Sequence, residues 1–396
     1  MTKIGLFSII GEIGSFINEE QLRQLVFLTY GIIQSKTVNI SCVNDNVPLT
    51  ETGCKNIQSQ YKYLLKPFQR GDYEGLIKTC FRLLVIHFYG GEGAIKLILD
   101  RTNWQLGSEN INILAIGLLD ATGIFIPLVW DDLGYKGNSD SETRIKLIDQ
   151  LLSWWREMPI PEPQFDIMGD REFIGETWLV ALSRREINYV IRLRGDLSFE
   201  TWMDGKYQAD IRLKIPEIHK YLIDNNEPFI EVVLGSEAMA KVFIVKNEAA
   251  QNEEADKEPF IFFITNMEDI EMAAQDYRKR WKIEVCFKHL KSFGFFLEDF
   301  NMTGQHKTNI LMAILTLAYA ITVKENPLVA DLPDKEIFYK NGKSYPRKSI
   351  FRKGLSRMTQ LKSFQSFVDY WKILLEKLIC KLLWLKNLHS QNLYVQ

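Results

Sequence analysis

The sequence predicts an α/β fold with a mixed five-stranded sheet at its core and helices on its faces. The first observation is the order of elements between residues 94 and 194. Apolar runs of strand length and helical patterns follow one another there as β, β, β, α, β, α, β. The second is size, because 396 residues, 46% of them hydrophobic, can bury a large core and still supply added regions.

The first half of this core is a run of three strands. Residues 94–100 form an apolar run that predicts a short buried strand ending in Asp100. After a turn at Gly107, residues 111–119 and 123–130 predict two more strands. The short connections favour antiparallel pairing.

The second half alternates helices with strands. Helices are predicted at residues 141–155 and 174–185, and strands at residues 165–170 and 188–194. Ser141 is the predicted cap of the first helix, and Asp170 ends the first of these strands. The whole order fits a ribonuclease-H-like core, in which the ends of neighbouring strands can bring Asp100 and Asp170 together.

Regions of different character surround the core. The predicted organisation is a helical N-terminal domain at 1–92, the first part of the core at 93–195, a β-rich insertion at 196–258, the rest of the core at 259–325 and a basic, helical C-terminal region at 326–396. Residues 19–33 predict an amphipathic helix, and residues 73–89 a helix that is apolar on one side. The insertion contains strand-like runs at 207–215 and 229–245, and residues 259–266 predict a strand that returns to the core.

Four functional side chains share one predicted helical face near the end of the core. They are Tyr277, Arg280, Glu284 and Lys291. Their offsets of three, four and seven residues place them within a stripe about 60° wide, at about 100° per residue. Ile283, Phe287 and Leu290 form an apolar stripe beside them, which favours a buried edge next to the glutamate. The alternative is a solvated face with ordinary ion pairs.

The stripe matches, at all four positions, the Tyr-Arg-Glu-Lys signature of DDE transposases of the insertion-sequence-four family, a group encoded by bacterial mobile elements. Three further segments resemble successive blocks of these proteins: residues 97–104, 137–139 and 169–175. The resemblance therefore covers about residues 97–291, and both ends of the chain more weakly.

The resemblance implies that Asp100, Asp170 and Glu284 are the catalytic triad and the metal ligands. Hard oxygen ligands from separate elements suit Mg²⁺, which must keep open positions for phosphate and water. Two Mg²⁺ ions are expected, with Mn²⁺ as a substitute. Either aspartate alone has another explanation, because strands often end in Asp for the sake of the following turn.

The other signature residues resemble groups that hold the DNA. Tyr277, Arg280 and Lys291 would bind the terminal phosphates and the flanking strand, the arginine by bidentate contact and the lysine as a point charge. Each could instead be a structural partner of a carboxylate. Trp281 is a candidate for stacking on an unpaired base, and a core tryptophan is the alternative.

The net charge of −2 means that a DNA surface must be local. The most basic stretch, residues 340–357, contains no acid. Its cations are Lys340, Lys343, Arg347, Lys348, Arg352, Lys353 and Arg357. Arg192 and Arg194 extend the predicted DNA path, although a charge run is usually a solvated face. The N-terminal helices are expected to bind the element's ends, with no helix-turn-helix pattern that identifies the reading residues.

Cysteine usage and hydropathy exclude several classes of protein. The five cysteines and five histidines are scattered, which is typical of neither a zinc site nor a disulfide framework. The N-terminal apolar run predicts no signal peptide, and residues 310–323 predict a buried helix that is too short to span a bilayer. We expect a protein of the reducing cytoplasm, associated with the nucleoid when bound to DNA, and with no membrane partner.

The predicted function is therefore that of a transposase. It would cleave double-stranded DNA at the terminal inverted repeats of a bacterial insertion sequence and transfer the strands into target DNA, a cut-and-paste reaction. The family resemblance also implies a homodimer in the synaptic complex. The alternatives are a ribonuclease-H-like nuclease without strand transfer and a transposase-derived DNA-binding protein used as a repressor or scaffold.

Overall fold

A mixed sheet flanked by helices runs through the protein in the computed structural model, with ten strands among the described residues. The structure describes residues 11, 13, 16–69, 74–203, 206–235, 237–247, 258–324, 336–338, 344–361 and 363–393. The predicted fold class is confirmed. The sheet exceeds the predicted five strands because the strands of the insertion continue it.

The N-terminal region is helical, as predicted. Its helices are α1 (Glu19–Ser35), α2 (Ile40–Asn46), α3 (Leu49–Thr52), α4 (Ile57–Gln69) and α5 (Glu74–Phe88). Asn18 caps α1, since its side-chain oxygen accepts a hydrogen bond from the backbone N–H of Gln21 at 2.9 Å. The prediction that α1 is amphipathic is wrong, because residues 24–33 are all buried.

Three antiparallel strands open the sheet. They are β1 (Ile95–Leu106), β2 (Glu109–Leu119) and β3 (Phe125–Asp132). The prediction that β1 ends at Asp100 is wrong. The strand continues to Leu106, because β2 pairs with it from Lys96 onwards, and the turn falls at Gly107, whose φ of 60° suits glycine.

Helices then alternate with parallel strands. The elements are α6 (Ser141–Arg156), β4 (Phe165–Gly169), α7 (Glu176–Arg184) and β5 (Asn188–Arg192). Strand β4 lies parallel between β1 and β5. The cap of α6 is Asp140, one residue before the predicted Ser141, and its carboxylate accepts from the N–H of Thr143 at 2.7 Å.

The insertion extends the core sheet. Its elements, and the strand that follows, are β6 (Ser198–Met203), β7 (Lys206–Lys214), α8 (Ile215–Asn225), β8 (Phe229–Leu234), β9 (Ala238–Lys246) and β10 (Phe260–Thr265). The run predicted at 229–245 is two strands and not one. The spatial order is β3-β2-β1-β4-β5-β10-β9-β8-β6-β7, so β10 joins the insertion to β5 as the predicted returning strand.

The rest of the chain is mostly helical. Its elements are α9 (Ile270–Tyr277), α10 (Lys282–Lys291), α11 (Gln305–Lys324), β11 (Glu336–Phe338), β12 (Ser344–Pro346), α12 (Ile350–Met358) and α13 (Phe364–Leu393). Helix α11 is the described helix that is long and apolar enough to cross a membrane, but 83% of its most apolar window is buried inside the protein. The predicted buried helix therefore exists and is longer than residues 310–323.

Helices from both ends of the chain share one core around α11. Helices α1, α4, α5 and α12 pack against α11, and α13 packs against α1 and α5. Phe27 of α1 stacks on Phe364 of α13 with ring centroids 4.8 Å apart. The predicted domain boundaries stay a prediction, but the N- and C-terminal helices form a continuous body.

Candidate active site

Asp100 and Asp170 are brought together by the parallel pairing of β1 and β4. The last paired residues are Leu99 and Gly169, so each aspartate is the next residue along its strand. Asp170 follows the end of β4, as predicted, and caps a short 3₁₀ turn. Asp100 lies inside β1, at the point where its pairing with β4 stops.

The environment of Asp100 disfavours its charged form. Its side chain is 16% exposed, and burial raises the pKa of its carboxyl to about 6. The charges of Glu172 and Asp170 add to the rise, whereas Arg280 and the backbone N–H of Arg101 oppose it. Any additional positive charge nearby would favour the charged form of this carboxyl.

The predicted continuous helix from 277 to 291 is wrong, because the chain breaks into α9 and α10 at residues 278–281. Backbone bonds of the tighter three-residue type replace α-helical ones there: Arg280 N–H donates to Tyr277 at 2.9 Å, and Glu284 N–H donates to Trp281 at 3.1 Å. Three of the signature side chains nevertheless reach the sheet, since Tyr277 bonds Asp170, Arg280 bonds Asp100 and Lys291 bonds the carbonyl of Asn103. The predicted apolar stripe is confirmed, with Ile283, Phe287 and Leu290 buried.

Arg280 joins two of the predicted catalytic carboxylates. Its guanidinium donates to Asp100 Oδ2 at 2.9 Å and to Glu284 Oε1 at 2.8 Å. The side chains of Arg280 and Asp100 are 14% and 16% exposed, whereas that of Glu284 is 55% exposed. Burial disfavours the guanidinium charge, but Tyr277 and the nearby carboxylates outweigh burial and raise the pKa of Arg280.

Tyr277 reaches the third carboxylate. Its hydroxyl donates to Asp170 Oδ1 at 3.2 Å, and its ring packs on Phe263 with centroids 4.7 Å apart. Burial raises the pKa of the Tyr277 phenol, and the charge of Asp170 adds to the rise. The tyrosine is therefore a neutral donor, and together with Arg280 it gathers Asp100, Asp170 and Glu284 into one cluster.

Lys291 lies further along the same strand edge. Its ammonium donates to the carbonyl of Asn103 at 2.6 Å, pairs with Glu298 at 3.1 Å and sits over the ring of Trp104 at 5.3 Å. In this state Lys291 has the contacts of a structural partner. Its predicted phosphate role stays a prediction.

Trp281 is 51% exposed, so the alternative of a core tryptophan is wrong. Lys282 lies over its ring at 4.6 Å. With Tyr277 and Arg280, Trp281 lines a cavity of about 350 Å³ between α9 and strands β9 and β10. An aromatic face is thus available beside the carboxylate cluster.

The two arginines predicted to extend the DNA path have different surroundings, since Arg192 is the last residue of β5 and Arg194 lies two residues beyond it. Arg192 pairs with Glu258 at 3.0 Å and is close enough to Tyr277 for its charge to act on the phenol. Arg194 is 51% exposed and lines a different cavity of about 580 Å³, together with Arg212. Arg192 therefore borders the cluster, and Arg194 faces the insertion strands.

The basic tract is only partly described. Lys340 and Lys343 lie outside the described residues. Arg347 and Lys348 are exposed before α12, and Arg352 and Lys353 lie in its first turn. Buried Phe351 packs on His289 of α10 at 4.6 Å, which places this end of the tract beside the helix that carries Glu284.

Two supporting networks were not recognised in the sequence. Arg101 donates to Glu172 at 2.7 Å and to Asn138 at 2.8 Å, which ties together the family blocks that contain these residues. Lys96 pairs with Asp166 at 2.6 Å and with Asp276 at 2.5 Å. The sequence signal that could have indicated the second network was a single charged residue within an apolar strand, Lys96 in β1 and Asp166 in β4.

The donor set suits a hard metal ion, but the cluster does not close around one in this state. Among the residues that the structure describes, no three His, Cys, Asp or Glu side chains stand as a metal-binding group. The guanidinium of Arg280 holds both Asp100 and Glu284. A cation at these carboxylates would compete with the arginine for their oxygens.

Comparison with known proteins agrees with the geometry. Residues 115–321, more than half of the chain, match the family model of the transposase DDE domain. This segment contains Asp170 and Glu284, and Asp100 lies shortly before it. No curated protein matches the chain. The chain belongs to the family of DDE transposases.

Proposed function

We propose that this DDE transposase belongs to the insertion-sequence-four group of bacterial elements and moves its element by cutting and pasting DNA. What supports the proposal is the convergence of Asp100, Asp170 and Glu284 on one arginine and one tyrosine that stand at the signature spacings. The substrates would be double-stranded terminal repeats and target DNA.

Asp100, Asp170 and Glu284 are the residues that would hold Mg²⁺, as two ions for which Mn²⁺ can substitute. When bound, the metal would activate the attacking water and stabilise the departing oxygen in an in-line displacement at phosphorus. Burial raises the pKa of Asp100, and a bound cation would favour the charged form of its carboxyl.

Arg280 is suited to exchange carboxylates for phosphate. Its planar guanidinium bonds two carboxylates now, and the same fork can grip two oxygens of a DNA phosphate. In this proposal a DNA phosphate would bind the Arg280 guanidinium in place of Asp100 and Glu284 and so leave their oxygens free. Tyr277 keeps its proton and orients Asp170 throughout.

The reaction would proceed through two kinds of displacement at one site. Water attacks the phosphodiester at the element's end, the bond to the 3′ oxygen breaks and a 3′-hydroxyl is freed. That hydroxyl then attacks a target phosphodiester and displaces its 3′ oxygen. Exposed Trp281 would stack on a base that leaves the duplex near the cut.

The surrounding basic side chains would bind the DNA backbone. Arg192 borders the cluster, and Arg347, Lys348, Arg352 and Lys353 lie beside the end of α10. These contacts would be to phosphate and hence independent of sequence. A homodimer would hold two element ends in the synaptic complex, in the cytoplasm and bound to the nucleoid.

The decisive experiment incubates the purified protein with a plasmid carrying candidate end repeats, with Mg²⁺ or with EDTA. We expect cleavage that needs Mg²⁺ and that falls about 100-fold or more in Glu284→Gln, because a metal ligand is lost while DNA binding is kept. Glu271→Gln, an exposed acid of α9, is the matched control and should cleave normally. Undiminished cleavage by Glu284→Gln would contradict the assignment.

The products of the same reaction separate the alternative functions. Joined element and target DNA would identify a transposase, cleavage without joining a plain nuclease, and binding without cleavage a DNA-binding descendant. Sequencing the junctions would also give the target preference.

A further inference from the structure

The turn that follows α10 displays two phenylalanines to solvent. Phe293 is 49% exposed and Phe296 is 45% exposed, whereas Phe295 between them is fully buried. Gly294 holds this arrangement, because a Cβ at its position would lie 2.3 Å from the ring of Phe351. Phe296 adopts a left-handed φ of 48°, which is unfavourable for a bulky side chain and is typically kept for a function.

One cation contacts these aromatic rings, and two others precede the helix that carries it. Arg352 lies over the ring of Phe293 at 5.4 Å, and exposed Arg347 and Lys348 precede the same helix. Of the two acids that follow Phe296, Glu298 is paired with Lys291 at 3.1 Å, and Asp299 accepts a hydrogen bond from the Thr37 hydroxyl at 3.3 Å. The patch formed by Phe293, Phe296, Arg347, Lys348 and Arg352, which we call the aromatic-basic platform, therefore combines ring faces with positive charge.

The platform is rigidly placed relative to the carboxylate cluster. Glu284 and Lys291 are seven residues apart on α10, or about 10 Å along the helix axis, and the platform begins two residues later. Phe351 fixes α12 against this end of α10 through contacts with His289 at 4.6 Å and Phe295 at 5.3 Å. A DNA strand leaving the cluster reaches the platform within a few nucleotides.

We propose that the aromatic-basic platform binds single-stranded DNA next to the cleavage site, with unpaired bases stacked on Phe293 and Phe296 and phosphates held by Arg347, Lys348 and Arg352. This inference rests on the proposed function. Paired bases do not offer their faces to a side chain, so exposed rings interleaved with cations select unpaired strands. The positive charge of the patch matches the phosphate backbone.

The test compares binding to a short duplex of arbitrary sequence, either blunt or with a single-stranded extension, by fluorescence anisotropy. The wild type should prefer the extended duplex. The double variant Phe293→Ala/Phe296→Ala should lose roughly tenfold in affinity for the extended duplex and keep its affinity for the blunt one. Ile223→Ala, which truncates an exposed apolar residue of the insertion, should change neither.

A second measurement tests stacking directly, and the retained affinity for the blunt duplex is the control for folding. A 2-aminopurine in the extension should be quenched by the wild type and by Phe293→Trp, and not by the double variant. A preference for the extension that persists in the double variant would overturn the platform and leave the proposed function intact. A wild type that binds both duplexes equally, or neither, would also overturn the platform, whereas the proposed function is tested by cleavage of the end repeats.

Discussion

Two clusters of ion-paired side chains join the α9–α10 segment to the sheet in the same way. In each, one cation is shared between two carboxylates. Lys96 bonds Asp166 and Asp276, whereas Arg280 bonds Asp100 and Glu284. The two clusters lie four residues apart along each of the three segments. Residues 96, 166 and 276 belong to the first cluster, and residues 100, 170 and 280 occupy the corresponding positions near the second.

Exposure separates the two clusters. Both carboxylates of the Lys96 cluster are 6% exposed, whereas Glu284 of the Arg280 cluster is 55% exposed. Asp166 is further held by the side chain of Asn188 at 2.8 Å. A closed cluster of this kind fixes α9 on the sheet, and an open one with a bidentate arginine can exchange partners. The same kind of ion pairing thus buries both carboxylates in one place and leaves one of them accessible in the other.

The largest loss of stability is expected when the cation of the closed Lys96 cluster is removed. Lys96→Met removes the cation that two buried carboxylates share, which leaves Asp166 with the amide of Asn188 and Asp276 with Lys279 at 3.0 Å, and should lower the free energy of unfolding by about 3 kcal/mol. Urea denaturation followed by circular dichroism measures the loss. The triple variant Lys96→Met/Asp166→Asn/Asp276→Asn removes the charges together and should recover most of it. A loss of similar size in the triple variant would show that the charges are not the cause.

A smaller loss of stability is expected at the open cluster. Arg280→Met should lower the free energy of unfolding by about 1–2 kcal/mol, because Glu284 is largely solvated and Asp100 keeps a backbone donor. The same variant should bind Mn²⁺ more tightly than the wild type without DNA, as measured by electron paramagnetic resonance of the free ion. Lys288→Met, which removes an exposed cation of α10, is the control. Unchanged Mn²⁺ affinity in Arg280→Met would show that the arginine does not compete with metal.

The smallest effect is a dependence on pH that belongs to the closed cluster. Burial lowers the pKa of Lys96, but its bonds to Asp166 and Asp276 outweigh burial and leave the pKa raised. A raised folded-state pKa means that the stability is fully present below the unfolded-state value of about 10.4 and is lost as the pH rises through the folded-state value. The difference between wild type and Lys96→Met should therefore be constant from about pH 7 to pH 10 and shrink above that range. A difference that shrinks below this range would contradict the ion pair.

The sequence predicted which side chains lie together better than it predicted their backbone geometry. Spacing alone placed Tyr277, Arg280 and Glu284 on one side; Tyr277 reaches Asp170, and Arg280 reaches both Asp100 and Glu284. Periodicity could not reveal the break at residues 278–281, since three-residue hydrogen bonds leave no mark on the apolar pattern. Nor could it show that Arg280 bonds carboxylates in the absence of DNA, because that depends on contacts with β1.

Long-range pairing explains the other differences. Asp100 was expected at a strand end because the apolar run stops there, yet β2 supplies backbone partners as far as Leu106. The insertion was predicted to be β-rich, and its strands continue the core sheet because β9 pairs with β10 along six residues. The pairing of a strand depends on hydrogen bonds with distant parts of the chain. Local composition does not specify these partners.

The sharing of one core by both ends of the chain orders the events of synthesis. The ribosome releases α1 long before α11 and α13, so the buried side chains of α1 have no native partner on those helices until they too have been made. The helical body can therefore close only after α13 has emerged. Glu284, on α10, follows the ten strands of the main sheet along the chain, so it can join Asp100 and Asp170 only after those strands have been made.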